Sequence, residues 1–371
     1  VATPDFTRNR QGALCSSIGA GSLPDARYAF ISAYLKGEEA GILTSDHVDR
    51  MSRASSFQDA LAAINDTDVG YYLNGIPIRS FNDLDESLWR YLGECFAHIE
   101  AFKFLPEDIR KILIAYLVKY DVFNTKAALQ GIVTRKKVGM IPLGLIHDHG
   151  LTDELSSADS IGAIGEILTR CKLGSYVSVL GEYKKDEGLK SRLLTEARLD
   201  NEYYRNLLDA VLGVKDGPVL VRTIGIIIDL INLQLVGRAI IEGTVTEAAD
   251  YIISGGYTLS VEVVRELLSL KLTDVPGRLE NTMYHSMIEE VSSSYAKTQN
   301  INSVAELVDR YRFILLKELL AIRLFSPLTA VWYLVLKELE IRDLRLMFKA
   351  ILDRRPLGTI VMSWRFRHDI H

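Results

Sequence analysis

Apolar residues recur at three- and four-residue spacing over long segments of the chain, with short polar turns between them. No run alternates apolar and polar positions long enough to build a sheet. The pattern predicts helix after helix, an all-α protein. Three helix starts look alike: Leu43-Thr44-Ser45-Asp46, Leu151-Thr152-Asp153-Glu154 and Leu259-Ser260-Val261-Glu262. Each places a hydroxyl at the N-cap, where it can accept an unpaired backbone N–H, and an acid in the first turn, facing the positive end of the helix dipole. Their leucines are 108 residues apart both times.

A second marker repeats in register with the first. Asp121-Val122-Phe123-Asn124, Asp229-Leu230-Ile231-Asn232 and Glu340-Ile341-Arg342-Asp343 are separated by 108 and 111 residues, each inside a long apolar helix that follows a proline, Pro106, Pro218 or Pro327. Two markers at one period predict a helical unit repeated three times. The expected organisation is an N-terminal extension over 1–27, repeat 1 over 28–142, repeat 2 over 143–252 and repeat 3 over 253–371, with three pseudo-equivalent lobes able to surround one axis. Between the markers, 56–71, 160–176 and 273–284 each predict a short helix ending near a tyrosine. The charged stretch 184–188 and the polar stretch 292–303 predict exposed connectors.

On a helical wheel the residue three after each acid lies about 60° from it, and the positions four, seven and eleven after it fall within about 40°. These read Thr125, Ala128 and Ile132, then Leu233, Val236 and Ile240, then Leu344, Met347 and Ile351. The carboxylates and amides therefore sit on or beside a packed face, while Gln130, Arg238 and Lys349 point away. A polar group on a packed face has to be hydrogen-bonded. The expected role of Asp121, Asn124, Asp229, Asn232, Glu340 and Asp343 is thus to cap a neighbouring helix start or bond a backbone amide. The functional alternative is that the three sets line a central opening and touch a partner. The helix over 327–352 differs in carrying Lys337, Glu338, Arg342, Arg345 and Lys349, with Glu338 and Arg342 in the favourable i,i+4 order. It reads equally as a salt-bridged solvent face and as part of an interface.

Composition narrows the class. The 371 residues are 48% hydrophobic and 25% charged, with a net charge of −5, which excludes disordered, collagen-like and disulfide-scaffold chains and disfavours nucleic acid as a partner. Cys15, Cys95 and Cys171 are far apart and odd in number, so free thiols in a reducing compartment are expected. The most apolar stretch, 219–241, is interrupted by Arg222, Asp229, Gln234 and Arg238 and reads as a buried helix rather than a membrane span. The stretch before Ala26 has no signal-peptide layout.

Chemistry has little support in the sequence. No His or Lys accompanies all three acids, the Asp-rich pair of an all-helical prenyl-transfer enzyme is missing, and no catalytic residue, cofactor or metal is expected. His147 and His149 flank Asp148 without helical i,i+4 spacing and read as a solvated turn. Gly19-Ala20-Gly21 reads as tail, and the basic runs Arg135-Lys136-Lys137 and Arg365-Phe366-Arg367 as solvated ends rather than nucleic-acid patches, the basic run equally able to face lipid headgroups or an acidic partner.

Two segments carry a resemblance. AGILTSDHVDRM followed by INDTDVGYYL, within 28–73, and YLVLKELEIRDLRLMFKAIL, over 333–352, resemble the C subunit of the V/A-type ATPases, whose equivalent in the eukaryotic V-ATPase is the d subunit. The triplicated unit with Asp-x-x-Asn is also that family's plan. Asp343 stands where the family usually has Asn, and Thr125 where it usually has Leu. The resemblance implies a three-lobed, funnel-shaped, all-helical and non-catalytic rotor part. Such proteins sit as one copy on the cytoplasmic face of the membrane proteolipid (c/K) ring, receive the foot of the central shaft, made of the D and F subunits, and transmit torque for proton or sodium transport. For this chain it implies that the repeated set, together with Arg342 and Arg345, holds the lobes together and borders the funnel wall. The competing classes are an α-solenoid adaptor with no ATPase role, against which the apolar Ile360-Val361-Met362 argues, and an all-helical enzyme.

Overall fold

The computed structural model describes residues 26–183, 188–298, 302–320 and 325–354. The extension up to residue 25, with Cys15 and Gly19-Ala20-Gly21, the connector at 184–187, and Ile360-Val361-Met362 and Arg365-Phe366-Arg367 lie outside the described residues. Among those described, every regular element is helical and none is a strand. The all-α reading is correct.

The chain opens with α1 (Ala26–Glu38) and three short helices, α2 (Ser45–Ser52), α3 (Phe57–Ala62) and α4 (Asp68–Leu73), followed by a long pair, α5 (Phe81–Glu100) and α6 (Glu107–Thr134). The sequence 56–71 is thus two helices, because Asp66 and Thr67 turn the chain and the Thr67 hydroxyl caps α4 by accepting from Gly70 N–H at 3.0 Å. A second series follows: α7 (Leu145–Asp148), α8 (Thr152–Ser156), α9 (Ile161–Arg170), α10 (Gly174–Leu180), then the long α11 (Gly188–Leu212) and α12 (Gly217–Glu242). The third comprises α13 (Val245–Ala248), α14 (Val261–Leu268), α15 (Val275–Arg278), α16 (His285–Thr298), and the long α17 (Asn302–Leu320) and α18 (Leu328–Leu352).

The repeated caps are only partly alike. Thr44 closes a capping box with His47, and Ser260 accepts from Val263 N–H. Thr152 is instead the first residue of α8, whose N-cap is Leu151. The short α7 immediately upstream leads the chain straight into this helix, with Leu151 N–H already bonded to Ile146 C=O at 2.9 Å, so no extended N-cap residue is present. The stretch 292–303 also departs from expectation: helix α16 continues through it to Thr298. Its serines lie on the outer side of a helix whose other face buries Met287, Ile288 and Val291, and that apolar stripe overrides serine's turn preference.

Among the described residues three hydrophobic cores form, and each borrows a long helix from elsewhere in the chain. The core of α1 to α5 is completed by Tyr333, Leu334, Leu344, Met347 and Phe348 of α18. That of α7 to α11 takes Ile112, Val118 and Val122 from α6. That of α14 to α17 takes Ile226, Leu230, Leu233 and Val236 from α12. Correspondingly α6 packs on α11, α12 on α17, and α18 back on α5. The last contact joins the end of the described chain to its beginning.

The corners leading into the long helices also lie together. Lys215 N–H donates to Asp108 at 3.4 Å, Tyr28 Oη donates to the same carboxylate at 2.6 Å, and Ser326 Oγ donates to Asp216 at 2.5 Å. Phe325 packs against the core that contains Tyr28. From this shared end α6, α12 and α18 run outward in the same sense. Helix α12 is long and apolar enough to cross a membrane by length and composition, but 67% of its most apolar window is buried inside the protein and Asp229 lies at its middle.

Candidate functional site

Each repeated acid bonds backbone N–H groups at or just before the start of a short helix, α7 for Asp121, α14 for Asp229 and α2 for Glu340. Asp121 accepts from Leu145 N–H at 2.9 Å and Ile146 N–H at 2.8 Å. Asp229 accepts from Thr258 N–H at 2.7 Å, Leu259 N–H at 3.2 Å and Tyr284 Oη at 2.7 Å. Glu340 accepts from Leu43 N–H at 2.8 Å. The amides three residues on form two-way clamps: Asn124 exchanges hydrogen bonds with Ile141 N–H and C=O, both at 2.8 Å, and Asn232 does so with Ile253 at 2.9 and 2.8 Å. Asp343 carries a carboxylate, which accepts only and has no amide N–H to donate, so it does not form the two-way amide clamp; it is buried 3.7 Å from the Arg342 guanidinium.

Space at these joints is tight. Gly144 has φ +93°, and a Cβ there would come within 2.6 Å of the Asp121 carboxylate. Burial pushes the Asp121 carboxyl up to about 7 despite its two N–H donors, and likewise pushes Asp229 up to about 6. The third joint is built differently. Lys337, fully buried, donates to Glu340 at 3.2 Å and to Tyr91 Oη at 2.8 Å, and lies 3.4 Å from Asp68. Burial pulls this ammonium down, but the neighbouring negative groups, Glu340 first, together with the hydrogen bond to Glu340, outweigh it and hold Lys337 above its ordinary range.

The charged helix α18 is therefore not a solvent face. Lys337 and Glu340 are wholly buried, Arg345 pairs with Asp85 and stacks 4.9 Å over Trp89, and of the helix's five charged residues singled out only Lys349, paired with Asp353, is exposed. Glu338 accepts from Tyr116 Oη at 2.7 Å and Tyr120 Oη at 2.6 Å and pairs with Lys119, all on α6. Burial pulls Lys119 down to about 8, partly offset by Glu338, whereas Lys119 and the two phenols hold Glu338 below the usual carboxylate range against the opposing effect of burial.

Glu338 and Lys119 open onto a cavity of ≈ 300 Å³ at the meeting of the six long helices. Lys119, Ile227 and Glu338, each two residues before a repeated acid, all line it. Two residues turn a helix by about 200°, so when the acids face the neighbouring joint these positions face the opposite way, into one shared space. Sequence reasoning placed the acids but missed this inner triad, although the same period marks it. Near the corners the lining is apolar and buried, with Ile112, Leu220 and Val331. Two to four turns further out lie Lys119, Arg342 and Arg345, and Trp89, Tyr203 and Arg312 of the other long helices also line the cavity. There Phe123 is 48% exposed, so the cavity is closed at the corners and meets solvent at the charged level.

Other candidates are surface features. His149 Nδ1 lies 2.7 Å from Leu145 C=O and His147 Nδ1 3.3 Å from Thr152 Oγ1. Among the described residues no group of three or more His, Cys, Asp or Glu is arranged to hold a metal ion. Arg135, Lys136 and Lys137 are exposed where α6 ends, and Cys95 and Cys171 are buried free thiols.

The family model for the ATP synthase (C/AC39) subunit matches residues 31–360, and the chain belongs to that family. It is similar to the C subunit of the A-type ATP synthase of Methanocaldococcus jannaschii, at 23% identity over 88% of this chain and 84% of that protein. The C subunits of the A-type ATP synthases of Pyrococcus abyssi and Thermococcus kodakarensis are each 25% identical over 88% of this chain and 87% of theirs.

Proposed function

We propose that this chain is a non-catalytic rotor part of an A-type ATP synthase, a socket that couples the central shaft, formed by the D and F subunits, to the proteolipid ring in the membrane. In this reading the three helical series are pseudo-equivalent lobes closed into a funnel, with the corner end narrow and the charged level its mouth. One copy sits on the cytoplasmic face of the ring and passes torque between the ATP-hydrolysing head and the ion-carrying ring. Asp121, Asn124, Asp229, Asn232, Glu340 and Asp343 hold the joints between lobes, while Arg342 and Arg345 border the wall.

The observation that carries this reading is the bond from Glu340 to Leu43 N–H, which supports closure of the third lobe on the first. An open solenoid would leave its first and last units apart. Torque transmission requires stiffness, and close-packed interiors transmit strain. Three cores that each share a helix with their neighbour supply it, since no lobe can tilt without disturbing the next.

Reconstitution tests the proposal. Vesicles holding the complete enzyme should pump ions during ATP hydrolysis; enzyme lacking this chain should hydrolyse ATP without pumping, and adding the chain back should restore pumping. Full coupling in its absence would reject the proposal.

A further inference from the structure

A larger groove, of ≈ 1000 Å³, lies away from the central cavity, between α5 and the segment 137–156. Its lining mixes two chemistries. Phe96, Leu117, Val138, Met140 and Pro142, all buried or half-buried, form an apolar floor. Five carboxylates, Glu86, Glu94, Glu100, Asp148 and Asp153, edge it against two cations, Arg90 and Lys137. Arg90 is already paired with Glu86 at 2.6 Å, whereas Glu100, Asp148 and Asp153 form no salt bridge among the described residues. Burial, and then the Asp148 charge, push the Glu100 carboxyl up, a direction that an added cation would reverse.

The sequence beyond α18 has the complementary pattern. Over 362–367 apolar and polar residues alternate, Met362, Trp364 and Phe366 against Ser363, Arg365 and Arg367. An extended chain would put the three large apolar side chains on one face and the two guanidinium groups on the other. The segment is also within reach. The Lys349 ammonium lies 5.6 Å over the Phe81 ring, so α18 ends beside the start of α5. From that contact Arg354 is five residues outward and Glu86 five residues inward, about 15 Å apart along the axis at 1.5 Å per residue. Passing round a helix about 10–12 Å across adds no more than about 20 Å sideways, a diagonal of roughly 25 Å. Residues 355–364 can span about 33 Å.

We propose that the chain's own segment 362–367 docks in this groove as an extended strap, with Trp364 and Phe366 on the apolar floor and Arg365 and Arg367 against the carboxylates. The aromatic side chains supply the holding energy, as buried anchors do at interface centres. The guanidinium–carboxylate contacts supply orientation and salt sensitivity. The strap ties the end of the third helical series to the first and adds a second closure to the one made by Glu340 and Leu43. It does not depend on the rotor reading.

Trypsin cleavage of the full chain after Arg365 and Arg367, followed by mass spectrometry, tests this. At about 50 mM salt the chain should be cut there at least about tenfold more slowly than a synthetic peptide of residues 355–371, since cleavage follows the undocked population. Trp364→Ala should restore most of the peptide's rate. Asp153→Lys, at an exposed edge of the groove, should raise the rate at least about threefold, and so should about 300 mM salt. If Asp153→Lys fails to fold by circular dichroism, Trp364→Ala and the salt series decide. Equal rates in chain and peptide overturn the inference. Protection that survives both Asp153→Lys and salt puts the segment elsewhere and overturns it too, as does protection lost on dilution, which would assign the groove to the tail of a second copy. None of these outcomes touches the rotor reading.

Discussion

The Glu340 carboxylate accepts a hydrogen bond at 2.8 Å from the backbone N–H of Leu43, 297 residues earlier in the chain. Asp121 and Asp229 make the corresponding bonds only 24–30 residues forward. The same local chemistry thus serves two sequential joints and one that closes the chain on itself. The closing joint is the entropically expensive one, because it orders the longest loop. It is also the joint with a buried counter-ion, Lys337, and that pairing leads to the first prediction.

Replacing Lys337 by Met should leave Glu340 buried without its cation and destabilise the protein by about 3–5 kcal/mol. Combining it with Glu340→Gln should cost much less than the sum of the single changes. A double-mutant cycle by urea denaturation measures this coupling; additive single effects would show that the pair acts independently.

Asp229→Ala should cost about 2–4 kcal/mol, since it strands the Thr258 and Leu259 amides and the Tyr284 hydroxyl in a buried joint. The variant should also loosen coupling of hydrolysis to transport while leaving nucleotide binding by the head unchanged. Unchanged stability together with unchanged coupling contradicts the role given to this residue.

Asp121 should make stability depend on pH near neutrality. Its unfolded carboxyl titrates at about 3.9, and burial raises the folded one to about 7. Between those values the folded chain holds a proton that the unfolded chain has released, so the contribution is full below about pH 4 and lost as pH rises through 7. The wild-type minus Asp121→Asn difference in unfolding free energy should therefore fall between pH 4 and 8, on the order of 3 kcal/mol. Denaturation curves across that range test the sign, and a difference that rises with pH rejects it.

Gly144→Ala should destabilise by roughly 1–3 kcal/mol, because the left-handed backbone disfavours a side chain and the new methyl would press on the Asp121 carboxylate. Asp121→Asn should relieve little of this, since the amide occupies the same space. Thermal melts of the two single variants and the double variant test the claim.

The all-helical architecture was legible in the chain because apolar residues recur at three- and four-residue spacing. The acids announced themselves by sitting on packed faces of apolar helices, where physics demands a partner. What the period cannot reveal is direction: nothing local to Glu340 says that its partner is Leu43 rather than a downstream amide. The charge on α18 misled for a related reason. Glu338 and Arg342 have surface-pair spacing, yet Glu338 bonds Tyr116, Tyr120 and Lys119 on a helix more than 200 residues away. Thr152 failed as a cap because α7 precedes it in only one series, and the serines beyond Val291 stayed helical because tertiary packing outweighs a few tenths of a kcal/mol per residue in propensity.

The central claim is that one copy of this chain bridges shaft and ring. The most direct measurement is the native mass of complexes assembled from this chain, the D/F shaft subcomplex and the detergent-solubilised proteolipid ring. The account predicts one copy each of this chain and the shaft on one ring, and no association of shaft with ring when this chain is omitted. A shaft that binds the ring equally well without it, or a chain found on neither, would contradict the account.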